Sequence, residues 1–180
     1  MDESTLQNLK YPIGTFIIPE EIRESHLKKW IGDLEVLPSV LSELVLSLDD
    51  EQLSEPYRPE GWTIRQLIHH ISDSHHNSYI RFKWALTEDT PRIKVYEQEK
   101  WAELHDSRSA PISMSLDHLK VVHAKLVFLL KGLKDQDLKK GFIHPETNTF
   151  TSLEENIGRY AWHGNHHTQH IRNILQKKGW

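Results

Sequence analysis

The residues that could do chemistry are concentrated near the end of the chain. Tyr160-Ala161-Trp162-His163-Gly164-Asn165-His166-His167-Thr168-Gln169-His170 holds four of the thirteen histidines. On a helix at about 100° per residue, Ile157, Tyr160, Gly164, Thr168, Ile171, Ile174 and Leu175 form one apolar stripe. His163, His167 and His170 line one flank of that stripe, while His166 and Trp162 are expected to turn away. His163 and His167 are one turn apart, with Cβ atoms about 5–6 Å apart, so two imidazoles could grip one divalent ion. His163 and His170 lie about 10.5 Å apart along the axis, too far to share an ion. The pair is therefore His163/His167 or His167/His170. In zinc proteases a Glu follows the first His of such a pair. Here that position is Gly164, so the chemistry must differ from theirs.

A catalytic zinc ion takes three protein ligands and keeps a position open, whereas a structural one takes four. A third ligand must come from elsewhere, and composition limits its type. There is no cysteine among the 180 residues, which removes thiolate ligands, disulfides and a Cys nucleophile together. A metal would be held by nitrogen and oxygen alone. The net charge is −4 with no basic stripe, which disfavours nucleic acid as a partner. No apolar run approaches the roughly 18–20 residues of a membrane span. The acidic Met1-Asp2-Glu3-Ser4 start lacks an apolar signal core, so the expected compartment is the cytoplasm. The length suits one domain, residues 1–180.

The elements that must position these groups read as follows. Residues 1–23 are expected to be an extended arm packed on the body, because Tyr11-Pro12 and Ile18-Pro19 disfavour helix before each proline. A first helix is predicted from about Ser25 to Leu48, kinked or broken at Pro38. Thr63 and Gln66 form a capping box that opens a second helix. Its inner stripe is Ile64, Leu67, Ile68, Ile71, His75, Ser78, Phe82 and Leu86. His70 lies on a flank continued by Ser74, Asn77 and Arg81, while His69 and His76 point outward. Residues 88–113 form a long connection with a short helix near Glu97–Leu104, expected to cross the end of the bundle. A third helix spans about Ser115–Leu133, with His118 and His123 as ordinary helix residues. Leu133-Lys134-Asp135-Gln136-Asp137-Leu138 echoes Leu48-Asp49-Asp50-Glu51-Gln52-Leu53, suggesting two helix pairs of similar build. Gly141–Phe150 could be a small hairpin. Thr151 with Glu154, or Ser152 with Glu155, caps a fourth helix that carries the histidines to about Lys177.

The predicted fold is therefore all-α, a four-helix bundle with an extended N-terminal arm and long connections. Bundle metal sites are built from inward side chains on facing helices. If the second and fourth helices are neighbours, His70 can close a site begun by His163 and His167. Asn77 and Arg81 are candidates for orienting the substrate, Arg81 by binding a carboxylate or phosphate.

These residues resemble a known family. Trp62-Thr63, with His70 eight residues after the Trp and a late His163-x-x-x-His167, looks like the DinB-like superfamily, and within it the YfiT-type metal-dependent hydrolases. Tyr11-Pro12-Ile13-Gly14, Pro56-Tyr57-Arg58, Asp73-Ser74-His75, Asn77 through Lys83, and Trp162-His163 strengthen the likeness, which covers the chain from about residue 10. Gly164 and Asn165 depart from the Ser and His expected there. The resemblance implies a bundle of unusual connectivity, one divalent metal per chain on His70, His163 and His167, and a homodimer. It favours His163/His167 as the pair. The implied activity is hydrolysis of a small-molecule substrate by an activated water. The alternatives are S-transfer of a low-molecular-weight thiol such as bacillithiol, and a non-catalytic module stapled by metal. Three imidazoles suit Zn first, then Ni, Fe or Co.

Overall fold

A computed structural model describes the backbone of residues 3–180 and the side chains from residue 7 onward. Among these, four long helices carry the fold: α2 (Glu24–Val45), α4 (Ile64–Thr87), α7 (Ile112–Lys131) and α9 (Leu153–Lys178). Between them lie the short helices α3 (Asp50–Leu53), α5 (Gln98–Ala102), α6 (His105–Ser109) and α8 (Asp135–Leu138), and a hairpin of β1 (Gly141–His144) with β2 (Thr149–Ser152). The hairpin is antiparallel, with Phe142 opposite Thr151. The chain opens on α1 (Glu3–Lys10), which corrects the fully extended arm. Proline restricts only its own residue and the one before, so Pro12 leaves the proline-free residues ahead of Tyr11 able to coil. Met1 and Asp2 lie outside the described residues.

The capping residues start the helices that carry the chemistry. Thr63 Oγ1 accepts from the Gln66 N–H at 3.2 Å, and the Gln66 side chain accepts from the Thr63 N–H at 3.0 Å. Ser152, not Thr151, caps α9, accepting from the Glu155 N–H. Helix α2 runs through Pro38 without a break. The echoed segments each form one helical turn, α3 and α8.

Packing defines the connectivity. Helix α2 packs on α7 and α9, and α4 packs on the same two. The order around the bundle is therefore α2, α7, α4, α9, with α2 opposite α4 and α7 opposite α9. The two crossing links are those carrying α3 and α8, whereas the long 88–111 segment joins neighbours. This reverses the expectation from link length. The long segment is spent on α5 and α6, which fold back onto α4. That cover also corrects the outward reading of His69. Its ring is buried, contacting Ser115 Oγ at 2.7 Å and the Ala110 carbonyl at 3.2 Å.

The core has two parts. One contains Leu37, Leu41, Ile64, Leu67, Ile68, Ile71, Leu119 and Ile171; the other contains Leu34, Phe82, Leu126, Phe142, Leu153 and Ile157. Between their levels on the same helices lie buried polar residues, including Ser74, His75, Ser78, His123 and Thr168. No helix among the described residues is long and apolar enough to cross a membrane.

One close approach aligns α9. A Cβ on Gly158 would lie 2.8 Å from Phe16 Cζ and 2.9 Å from Trp30 Cη2. Both neighbours are rigid rings, so the arm and α2 must shift to admit a larger side chain. Gly158→Val is expected to destabilise by about 2 kcal/mol and lower Tm by roughly 4–8 °C. Thermal melts followed by circular dichroism check this, and an unchanged Tm would show that the contact is slack.

Candidate metal centre

Helices α4 and α9 are neighbours, and they bring His70, His163 and His167 together with one ligand atom of each within 4.8 Å of the others. The Nε2 atoms of His163 and His167 are 3.2 Å apart. Tetrahedral bonds of about 2.0–2.1 Å to one ion place adjacent nitrogens about 3.3 Å apart, so this spacing fits a divalent cation. The ring centroid of His70 is 5.3 Å from that of His163 and 5.0 Å from that of His167. Trp62 closes the other side of His70, with ring centroids 4.7 Å apart. The loop carrying it is held by the Tyr57 N–H on the Trp62 carbonyl and by Trp62 Nε1–H on Glu99 Oε2.

Burial keeps these rings in the neutral form that a metal requires. Desolvation lowers the pKa of His70 to about 4 and those of His163 and His167 well below the usual imidazole range. Neighbouring imidazoles reinforce the shift at all three.

A second triad, His166, His167 and His170, shares His167 with the first. His166 does not turn away from the bundle, as its helical position suggested. It is buried, its ring stacks on Trp162 at 4.6 Å, and its Nε2 is 3.2 Å from that of His170. Tyr11 and Tyr57 cover this flank, with rings 6.0 Å from His166 and 4.6 Å from His170. The cation of Arg58 adds to desolvation in lowering both pKa values, to about 4 and about 3. A cation that opposes protonation there also opposes a metal ion. This favours the His70 triad as the metal centre.

The candidates for orienting substrate part company. Arg81 is 9% exposed, donates to Tyr160 Oη at 3.3 Å and forms no ion pair among the described residues. It lines a cavity of about 760 Å³ together with His163, Tyr96, His144 and Tyr160. Asn77 spends its amide on the Asp73 carbonyl one turn back and lines neither that cavity nor the smaller one of about 340 Å³ over the histidines. Glu99 lines both.

Sequence reasoning missed three groups. Glu99 carried no motif. His75 falls on the inner apolar stripe, and nothing in the sequence sets His123 apart from an ordinary helix residue. Both are almost wholly buried. His75 Nε2 is 3.1 Å from His163 Nδ1, and His75 Nδ1 is 2.9 Å from His123 Nε2. The available signal was weak: a histidine in the middle of an apolar helical stripe.

With this geometry established, comparison with known proteins places the chain. The family model of the DinB superfamily matches residues 33–171. The chain belongs to the DinB superfamily. Within this superfamily it is 49% identical over 175 residues to a Bacillus cereus (strain 03BB102) protein named "Putative metal-dependent hydrolase", covering 97% of this chain and 100% of that one. It is 46% identical over 176 residues to "Putative metal-dependent hydrolase YfiT" of Bacillus subtilis (strain 168), covering 98% and 99%. The solved structure of Bacillus subtilis YfiT superposes with a TM-score of 0.94 over 96% of this chain and 99% of that one, at 46% identity. That structure is described as "a probable metal-dependent hydrolase with an unusual four-helix bundle topology". The crossing links described above take this DinB-superfamily chain away from simple up-and-down order.

Proposed function

We propose that the protein is a metal-dependent hydrolase in which His70, His163 and His167 hold one divalent ion beside a cavity for an anionic small molecule. The observation that carries this reading is the convergence of three neutral imidazoles from two helices, all lining the smaller cavity, with His163 also lining the larger one. Three neutral ligands would leave the ion's charge undiminished, and it would supply a Lewis acid that brings the pKa of a bound water towards 7 or holds a thiol as thiolate.

The chain's own residues do the rest. Arg81 offers a desolvated guanidinium with no carboxylate partner among the described residues, held by Tyr160, to a carboxylate or phosphate of the substrate. Glu99 is the carboxylate common to both cavities and is placed to take up a proton. The apolar clusters above and below the histidine layer keep bulk water from the inner side of the site.

A second reading follows from the cavity's size. About 760 Å³ is ample for a drug-sized molecule, so a low-molecular-weight thiol could take the place of water as nucleophile and transfer to an electrophile.

The test pairs zinc-loaded protein with two assays, hydrolysis of carboxylate-bearing esters and amides, and conjugation of small thiols to a model electrophile. Turnover in the first supports the hydrolase, and turnover in the second alone supports the transferase. Turnover in neither leaves a metal-stapled module. Arg81→Met is expected to raise KM for an anionic substrate roughly 10–100-fold while sparing its neutral analogue. An equal loss on both would remove Arg81 from substrate recognition.

A further inference from the structure

The contacts beyond His163 form a chain with a fixed end. His163 Nδ1 meets His75 Nε2 at 3.1 Å, His75 Nδ1 meets His123 Nε2 at 2.9 Å, and His123 Nδ1 meets the Leu34 carbonyl oxygen at 2.6 Å. His75 is 0% and His123 1% exposed. A carbonyl only accepts hydrogen bonds, so His123 must carry its proton on Nδ1. In the neutral ring Nε2 is then a lone pair, and it accepts from His75 Nδ1–H. His75 Nε2 is left as an acceptor in turn and takes Nδ1–H of His163. The lone pair of His163 is thereby forced onto Nε2, the atom facing His167.

The terminal acceptor has its own cause in the sequence. In a helix the Leu34 carbonyl would accept from the N–H of residue 38. That residue is Pro38, inside α2, and has no N–H. The proline that looked like a helix defect leaves an unclaimed acceptor in the core, opposite His123 on α7.

We propose that Pro38, His123 and His75 form a relay that fixes His163 as the Nδ1–H tautomer and so presents its Nε2 lone pair to a metal ion. His75 and His123 are positioning residues: neither lines the cavities around the triad, and both act through His163. The relay rests on the metal-site reading for its purpose but not for its existence, which the metal-free protein can reveal.

Long-range ¹H–¹⁵N spectra of the histidine rings in metal-free wild-type protein separate the tautomers directly. The expected result is the Nδ1–H form for His75, His123 and His163. An Nε2–H form or a mixture at His163 overturns the proposal, even if the protein binds zinc. Zinc affinity, measured by competition with a chromophoric chelator, is expected to fall about 10–100-fold in His123→Ala with the stoichiometry retained, because residues that orient a ligand have effects of that size. Unchanged affinity would also overturn the proposal. Absence of zinc binding in the wild type would end the metal reading instead, leaving the tautomer result to stand by itself. If His123→Ala fails to fold, the wild-type spectra decide.

Discussion

Metal-free protein is expected to unfold cooperatively near pH 5. His70, His75, His123, His163 and His167 are all held neutral, chiefly by burial, with pKa values of about 4 for His70 and His123 and well below the ordinary range for the other three. In the unfolded chain each titrates near about 6.5. Below that pH the unfolded state binds protons that the folded state refuses. Stability therefore rises with pH and is lost as pH falls. The stabilising contribution of each neutral ring is fully present above the unfolded pKa, and its loss begins as pH drops through about 6.5. Each group costs about 1.4 kcal/mol per pH unit once well below that value. Together the five approach about 7 kcal/mol per unit, against a total stability of about 5–15 kcal/mol for a typical domain. Roughly one to two units of acidification below 6.5 thus exhaust the fold. Circular dichroism at 222 nm against pH reads the midpoint. If the triad holds zinc more tightly than the unfolded chain does, excess zinc should move the midpoint to lower pH. Metal-free protein that stays helical at pH 4 would contradict the burial of these rings.

The same five rings show how far the sequence reaches. His70, His163 and His167 were legible because helical spacing puts the last two on one face and one further helix carried a flank histidine. Their meeting required α4 and α9 to be neighbours, which link lengths allowed by the wrong route: the longest connection joins adjacent helices, while the links carrying α3 and α8 cross the bundle. A connection's length limits what it can span without revealing what it spans, and residues 88–111 use their length to fold back onto α4. The family resemblance supplied what spacing alone could not. It selected His163/His167 over His167/His170, and the structure brings both pairs into triads.

His123 was illegible for a different reason. Its ring acts through a carbonyl exposed by a proline on another helix and through a second histidine on a third. Helical periodicity describes one element at a time and is blind to such a meeting. Pro38 was visible in the sequence, but only as a disturbance to α2; that the freed carbonyl faces a donor is a property of packing. His166 failed similarly. Its face of α9 looks solvent-facing on a helical projection, yet Tyr11 from the arm and the stack on Trp162 bury it. Helix α1 is hidden in the sequence because Pro12 and Pro19 mark their own surroundings as extended and say nothing of the residues ahead of Tyr11.

Single ligand deletions should separate the two overlapping triads. His167→Ala removes the ring common to both and is expected to abolish binding, from about one zinc per chain to below about a tenth by elemental analysis after dialysis. His70→Ala removes only the first triad and should lose as much. His170→Ala removes only the second and should retain the ion, with affinity changed by less than about tenfold. The argument is electrostatic as well as geometric. An ion between His166 and His170 would sit against the Arg58 cation, whose field already disfavours a proton on either ring. An ion on the first triad has no cation among the main influences on its three rings, only other imidazoles. The inverse pattern, with His170→Ala losing zinc and His70→Ala keeping it, would move the centre to the second triad. It would also detach the relay from any metal-binding role, because His163 would no longer be a ligand. Folding is checked separately for His70→Ala. Truncating a buried ring packed on Trp62 leaves a cavity expected to cost roughly 2–4 kcal/mol, so the variant's helix content at neutral pH must match the parent's before its zinc loss is read as a lost ligand.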